Sequence, residues 1–280
     1  TRKLRSAGVM MGIITPNADI EAALVTLAKA PRYGEFDVVG DVSTDDIYAW
    51  NGDAGEESRA FFDLRGRARQ GGMGINVERG IGQRYLGDNY MKVVVNDYGV
   101  KLNILRSLRA RGCEVIVVPD NASADDILGH NPDGVMLSPG PGDPELLDRS
   151  VATAKGLAGK VPMMGICLGH QVIARAFGAS TFKLHFGHRG GNQPVKDLDS
   201  GRVYVTAQNH GYAVDPAGLP EEMIVSHINL NDQTVEGLRH RDMPIMTIQY
   251  HSEASPGPHD SEYLFDRFVG LIQTGMSAKV

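Results

Sequence analysis

The residues of this sequence most able to do chemistry sit in one short stretch. A lone cysteine lies between two glycines in Gly165-Ile-Cys167-Leu-Gly169, followed at once by His170 and Gln171. The apolar run Val161 to Ile166 predicts a short buried strand, and Leu168 to Phe177 predicts a helix closed by Gly178. Gly-x-Cys-x-Gly at a strand-to-helix turn is the geometry of a nucleophile elbow, with sulfur replacing a serine oxygen. Such a turn is too tight for side chains beside the nucleophile. A thiol placed there faces a helix amino end, whose partial positive charge favours the thiolate. The competing account is a buried cysteine acting as a small hydrophobe.

A cysteine nucleophile needs a base, and the base needs a group that holds it. The strand predicted at Ile245 to Gln249 runs into Tyr250-His251-Ser-Glu253. On an extended segment residues two apart point to the same side, so Glu253 can orient His251 while His251 addresses the sulfur. His-x-Glu also occurs in zinc deaminases, but those need a Cys-x-x-Cys further along the chain. Here Cys113 and Cys167 both lie upstream and far apart, so a zinc site of that kind fails on spacing.

A reaction at an amide or ester carbonyl also needs donors for an oxyanion. The loop Leu137-Ser-Pro-Gly-Pro-Gly-Asp-Pro144 follows a predicted strand and precedes a predicted helix, which puts it at the carboxyl edge of a sheet. Its prolines stiffen the turn, and Gly140 and Gly142 offer bare backbone amides; alone, the loop is equally explained as a stiff turn and helix cap. Two further clusters, Phe186-Gly-His-Arg-Gly-Gly-Asn192 and Gln208-Asn-His-Gly-Tyr212, set glycines beside hydrogen-bonding groups. His185 and His188 have an H-x-x-H spacing, but no carboxylate or cysteine nearby in sequence completes a metal set, and no metal is expected.

The elements that must position these residues alternate in type. Strands are predicted at Lys92 to Val95, Glu114 to Val118, Gly134 to Leu137 and Val161 to Ile166. Helices are predicted at Lys101 to Arg111, near Ala124 to Leu128, from Asp143-Pro144 to about Leu157, and at Leu168 to Phe177. That alternation predicts an α/β fold with an open, mostly parallel sheet and helices on both faces. Beyond Gly178 the texture changes to strands at Val203 to Thr206, Ile224 to Ile228, Thr234 to Leu238 and Ile245 to Gln249. A final amphipathic helix, Asp260 to Gln273, carries Leu264, Phe268 and Leu271 on one face. The front is less regular. Val9 to Ile14 could form a strand, and Ala18 to Ala30 a helix capped by Asn17 and stopped before Pro31. Asp63 to Arg69 is a basic run best read as a solvated loop, and Gly71-Gly-Met-Gly74 does not complete Gly-x-Gly-x-x-Gly because Val77 occupies the third position.

The whole composition excludes several classes. With 280 residues, 42% hydrophobic and 22% charged, the chain can bury one large core or two smaller ones. A net charge of -6 gives no reason to expect nucleic acid or an anionic membrane as partner. No apolar run approaches the roughly 20 residues of a membrane span. The two cysteines provide no disulfide framework and imply a reducing, cytoplasmic setting.

Taken together, Gly165-Ile-Cys-Leu-Gly-His-Gln171 with His251-Ser-Glu253 resembles the catalytic set of class I glutamine amidotransferases. Asn96-Asp-Tyr-Gly-Val-Lys-Leu-Asn-Ile-Leu-Arg106, Ser138-Pro-Gly-Pro-Gly-Asp-Pro144, Phe186 to Asn192, Thr206-Ala-Gln-Asn-His-Gly-Tyr212 and His251-Ser-Glu-Ala-Ser-Pro-Gly-Pro258 narrow the resemblance to the small subunits of carbamoyl-phosphate synthase. The resemblance implies Cys167 as nucleophile, His251 as general base and acid, and Glu253 as its orienting partner. It implies an oxyanion hole from the amides of Gly140 and Leu168, and glutamine contacts from Gly142, Gln171, Asn209, Gly211 and Tyr212. The implied reaction is hydrolysis of the glutamine side-chain amide through a γ-glutamyl thioester. Ammonia would pass to a carbamoyl-phosphate synthase large subunit, which would carry the ATP and Mg; this chain has no P-loop. Leu102 and Gln193 depart from the family pattern, which has a basic residue and a histidine there. The resemblance sets residues 89–280 as the glutaminase domain and residues 1–88 as a remnant of the family's amino-terminal domain with a linker. In the family that domain supplies one hydroxyl contact to glutamine and helps to join the two subunits. Rival readings are the glutaminase of an anthranilate or GMP synthase, which Phe186 to Asn192 and the front segment oppose, and a non-catalytic module of the same fold, which the intact Cys, His and Glu oppose.

Overall fold

The computed structural model describes residues 10–32, 34–52, 90–255 and 257–277. Val9, the basic run 63–69 and the glycine cluster 71–74 lie outside the described residues. Among the described residues, ten strands form one sheet in the order β1-β3-β2-β4-β5-β10-β9-β8-β6-β7. They are β1 (Tyr48–Ala49), β2 (Met91–Asp97), β3 (Cys113–Pro119), β4 (Gly134–Leu137), β5 (Met163–Ile166), β6 (Thr181–Asp197), β7 (Val203–Val214), β8 (Met223–Asn229), β9 (Val235–His240) and β10 (Ile245–Ile248). The helices are α1 (Ile20–Lys29), α2 (Leu102–Ala110), α3 (Ala124–Gly129), α4 (Asp148–Leu157), α5 (Leu168–Ala176) and α6 (Tyr263–Ser277).

The sheet is open and mixed. Strands β3, β2, β4, β5 and β10 are parallel, while β1 on one edge and β9, β8, β6 and β7 on the other run antiparallel to their neighbours. The parallel strands are buried on both faces, as all-apolar runs such as Val135-Met136-Leu137 require. Alternate residues feed two cores. Val135, Leu137 and Met163 pack with Ile127 of α3, Leu157 of α4 and Val172 and Ile173 of α5. Met136, Met164 and Ile166 pack on the opposite face with Ile104, Leu105 and Leu108 of α2 and with Phe265, Phe268 and Ile272 of α6. Each such fully buried side chain contributes roughly 1.5–3 kcal/mol relative to exposure. The buried face of α6 is Leu264, Phe265, Phe268, Val269 and Ile272, with Leu271 only partly buried beside it.

Several elements depart from the sequence expectations. Residues 10–14 form no strand; Met10, Met11, Ile13 and Ile14 are exposed and pair with no strand among the described residues. Helix α1 is capped by Asp19, whose side chain accepts from the Ala22 amide at 3.0 Å, while Asn17 accepts one step earlier from the Asp19 amide. The predicted helix after Asp143-Pro144 divides into a 3-10 turn, Pro144–Leu146, and α4. Asp143 does cap that turn, but the Arg175 guanidinium takes the Pro144 carbonyl at 2.6 Å and Leu147 leaves helical geometry before α4 starts. The largest difference is β6, which runs from Thr181 to Asp197 through residues for which no strand was expected. No helix among the described residues is long and apolar enough to cross a membrane.

Candidate active site

The elbow forms where β5 passes into α5. Cys167 is the residue before the helix, with φ 53° and ψ -104°, a left-handed conformation that an L side chain adopts only under constraint. Its amide is fixed by the Ile248 carbonyl of β10 at 2.8 Å. The flanking glycines are dictated by close approach. A Cβ on Gly165 would come 2.5 Å from the Gly169 carbonyl oxygen, and one on Gly169 would overlap the Leu137 carbonyl oxygen. The Ser138–Gly142 loop is bound to the elbow from the other side: the Gly169 amide donates to the Ser138 carbonyl at 3.1 Å, and the Ser138 hydroxyl accepts from the Tyr98 amide at 2.8 Å. Gly140 is so close to Tyr98 and Leu168 that a Cβ would overlap the Tyr98 carbonyl oxygen. Leu168 is the first residue of α5, so its N–H has no acceptor within the helix.

His251 follows β10 and is held by its own amide, which donates to the Ala207 carbonyl of β7 at 2.9 Å. Its Nδ1 lies 2.8 Å from Glu253 Oε1, and both side chains are buried. Burial works against the charged ring, but the Glu253 carboxylate and the adjacent Cys167 sulfur outweigh it and raise the His251 pKa to about 10. Burial likewise opposes the Glu253 charge, yet His251 and Lys101 hold its carboxyl below the ordinary value. Lys101 Nζ sits 3.1 Å from the same Glu253 oxygen. Asn103, the second residue of α2, donates to the Glu253 backbone carbonyl.

These groups open on one cleft of about 310 Å³. Every sequence-predicted residue except Glu253 lines it, with Gly140, Gly142, Cys167, Leu168 and Gln171 on one side. Asn209, Gly211 and Tyr212 of β7 form the facing wall, and Glu253 stands behind His251. Gln171 joins the two walls, its amide nitrogen donating to the Tyr212 carbonyl at 2.8 Å and to Gln249 at 2.9 Å. Neighbouring His170 turns away. Its Nδ1 meets the Thr247 hydroxyl at 2.7 Å beneath the helix, and burial pushes its pKa down to about 3, so it is a neutral structural ring.

Sequence reasoning did not assign Lys101, Arg189 or His210, which also line the cleft. Nothing local marks them: Lys101 precedes a helix without capping it, and Arg189 and His210 lie in glycine-rich segments that gave no strand pattern. The carboxylates that the sequence did not place near His188 are supplied by the fold. His188 Nε2 lies 2.8 Å from Asp232 and Nδ1 lies 3.3 Å from Glu236. Burial would lower the His188 pKa, but these two carboxylates raise it to about 9. Ligand atoms of His188, His210 and Glu236 fall within 4.8 Å of one another. Both rings are already engaged, however: His210 meets the Tyr212 carbonyl at 2.8 Å through Nδ1 and Gln208 at 2.9 Å through Nε2. The cluster is a buried hydrogen-bonded support that reaches the cleft only through His210 of β7.

A cysteine in an elbow and an imidazole held by a carboxylate, sharing a cleft with Gly140 and Leu168, form an arrangement suited to cleaving an acyl–nitrogen bond. The chain matches known proteins. Residues 93–271 match the family described as Glutamine amidotransferase class-I, the class that the fold and cleft define. A protein of Rhodopirellula baltica named carbamoyl phosphate synthase small chain is 47% identical over 268 residues, covering 95% of this chain and 65% of that protein. One of the same name from Syntrophotalea carbinolica is 43% identical over 273 residues, covering 97% of this chain and 67% of its own length. Among solved structures, a candidate GMP synthase component from Thermoplasma acidophilum superposes with a TM-score of 0.59 at 25% identity, over 68% of this chain and 98% of that one. The chain belongs to the carbamoyl phosphate synthase small-chain family of class-I glutamine amidotransferases. It spans about two thirds of the length of those relatives, 65% in the first case.

Proposed function

We propose that this chain hydrolyses the side-chain amide of glutamine and hands the ammonia to a carbamoyl-phosphate synthase large subunit. The observation that carries the reading is that Cys167 and His251 share one cleft with Gly140 and Leu168, with Glu253 bonded to His251 from behind. In the reacting form His251 carries the proton and the sulfur the negative charge. Cys167 Sγ attacks the amide carbon, forming the C–S bond, and the displaced electron pair on oxygen is received by the two amides. Collapse breaks the C–N bond, and His251 Nε2 gives its proton to the departing ammonia. The neutral ring then takes a proton from water as that water attacks the γ-glutamyl thioester. Breaking C–S releases glutamate and restores the starting charges, so glutamine and water yield glutamate and ammonia. Glu253 holds the ring's orientation and stabilises its positive form throughout. Gly142, Gln171, Asn209, Gly211 and Tyr212 shape the glutamine pocket.

The ATP and Mg chemistry that makes carbamoyl phosphate, for arginine and pyrimidine synthesis, falls to the large subunit in the cytoplasm. Two measurements test this. Cys167→Ser keeps the fold and loses ammonia release; release at the parent rate sinks the triad assignment. The chain is also expected to co-purify with a large, internally repeated ATP-dependent chain. Partnership with a GMP or anthranilate synthase component instead overturns the partner assignment while leaving the chemistry standing.

A further inference from the structure

A strap of chain that precedes the parallel strands runs close to the site. Residues 38–44 cross the carboxyl ends of β2 and β3, the sheet edge at which the cleft opens. They lie outside the residues 93–271 matched by the glutamine amidotransferase family, so the class fold by itself does not supply them. The strap is closed by its own turn. The amides of Val42 and Ser43 both donate to the Val39 carbonyl, at 3.1 and 2.9 Å, and the Val39 side chain is fully buried in the core. Ser43 Oγ accepts the Asp120 amide at 2.9 Å, and the Thr44 amide donates to Asp97 Oδ2 at 2.9 Å.

Asp97, buried at the last position of β2, carries the connection onward. Its other oxygen, Oδ1, accepts the amides of Gly99 at 2.9 Å and Val100 at 2.7 Å. Gly99 lines the cleft between the strap and the oxyanion loop. A Cβ on it would stand 3.3 Å from Val42 Cγ2 and 3.5 Å from Gly140 Cα and Pro141 Cδ. Val38 meets the same loop further on, since a Cβ on Gly142 would stand 3.3 Å from Val38 Cγ2. Strap, turn and loop are packed in series, and close-packed groups transmit displacement. An oxyanion donor works at about 2.7–3.1 Å from the developing charge, and a misplacement of about 1 Å can cost roughly a hundredfold.

We propose that Asp97 is a positioning residue that locks the strap of residues 38–44 against the oxyanion loop and so fixes the Gly140 amide. This rests on the glutaminase reading, in which that amide receives the negative oxygen, and adds what holds the amide in place. One carboxylate serves both sides of the joint, Oδ1 the turn that touches the loop and Oδ2 the strap that covers it.

Asp97→Asn separates the two sides. The side-chain oxygen can still accept from Gly99 and Val100, while the new amide nitrogen sets N–H against the Thr44 N–H. In this variant kcat/KM for glutamine is expected to fall roughly ten- to a hundredfold, mostly in kcat. Alkylation of Cys167 by chloroacetamide should change little, because the sulfur displaces chloride at a CH2 carbon and no oxyanion forms. Val38→Ala with Val42→Ala leaves Asp97 in place and should lower glutamine turnover in the same sense, roughly three- to tenfold. An equal fall in both reactions, or no fall for glutamine, overturns the proposal; the double variant decides if Asp97→Asn does not fold. If the parent chain releases no ammonia from glutamine, the glutaminase reading has failed, and the joint is still tested by amide hydrogen exchange at Tyr98 and Gly169. Their N–H groups bond to Ser138 of the oxyanion loop, and both should exchange faster in Asp97→Asn than in the parent. Unchanged exchange at both positions overturns the proposal.

Discussion

Replacing Glu253 by Gln keeps its shape and removes its charge, which isolates what the carboxylate does for His251. The two side chains are buried, and Nδ1 and Oε1 are 2.8 Å apart. With charge centres about 4 Å apart and an effective dielectric of about 20, the attraction is about 4 kcal/mol. That is a factor of roughly a thousand in the ring's affinity for a proton. The sign follows from the direction of the shift: His251 is raised to about 10, so the ring is protonated below that pH and loses its proton above it. Departure of ammonia needs that proton, so kcat/KM for glutamine is expected to decline on the alkaline side near pH 10 in the parent chain. In Glu253→Gln the ring loses its main support, and the decline should move down by roughly three pH units, toward neutrality. The rate near neutral pH should also drop by roughly 10²–10⁴, because the ring's orientation and tautomer are no longer fixed. The assay is initial-rate ammonia release across the pH range for both proteins. An alkaline limb that stays in place after the substitution refutes the role given to Glu253.

Three further outcomes follow from packing and burial. Gly169→Ala sets a Cβ against the Leu137 carbonyl oxygen and 2.8 Å from the Leu137 Cβ, so the elbow must shift; melting should show a loss of roughly 1–3 kcal/mol, and ammonia release should fall further than stability explains. A glutamine-like electrophile should modify Cys167 at the cleft and spare Cys113, whose thiol burial pushes up to about 12; peptide mapping that finds equal labelling contradicts a single activated thiol. Arg111→Ala removes a fully buried guanidinium that binds Asp266 at 2.9 Å and the carbonyls of Ser107 and Glu262 at 3.0 Å. Because Asp266 is partly exposed and can rehydrate, the expected cost in denaturant unfolding is roughly 2–3 kcal/mol, below that of a fully buried pair.

The parts of the site legible in the sequence are those whose geometry is local. Gly165 and Gly169 are required by contacts within a few residues or one strand away, and His251 and Glu253 share a side through the strand repeat alone. The parallel strands were readable because burial on both faces demands continuous apolar runs. The β6–β7 hairpin was not. Residues 182–187 have no buried face, so they carry no alternation, and Gly187 and Gly190 adopt positive φ inside a strand that bulges at two points. Lys101, Arg189 and His210 acquire their places only when α2 and this hairpin close on the elbow, a long-range event with no short-range signature. The same holds for Asp232 and Glu236, which meet His188 from more than forty residues away in sequence. The split after Pro144 arises from Arg175, whose guanidinium takes a carbonyl 31 residues upstream.

The central claim is that glutamine passes through a covalent bond to Cys167. Acid-quenching the parent chain during turnover and mapping its peptides by mass spectrometry tests that most directly. The account predicts a γ-glutamyl group on the Cys167 peptide, formed from glutamine, lost on chasing with buffer at neutral pH, and absent in Cys167→Ser. Steady glutamine hydrolysis with no adduct on that peptide, or an adduct on another residue, would contradict it.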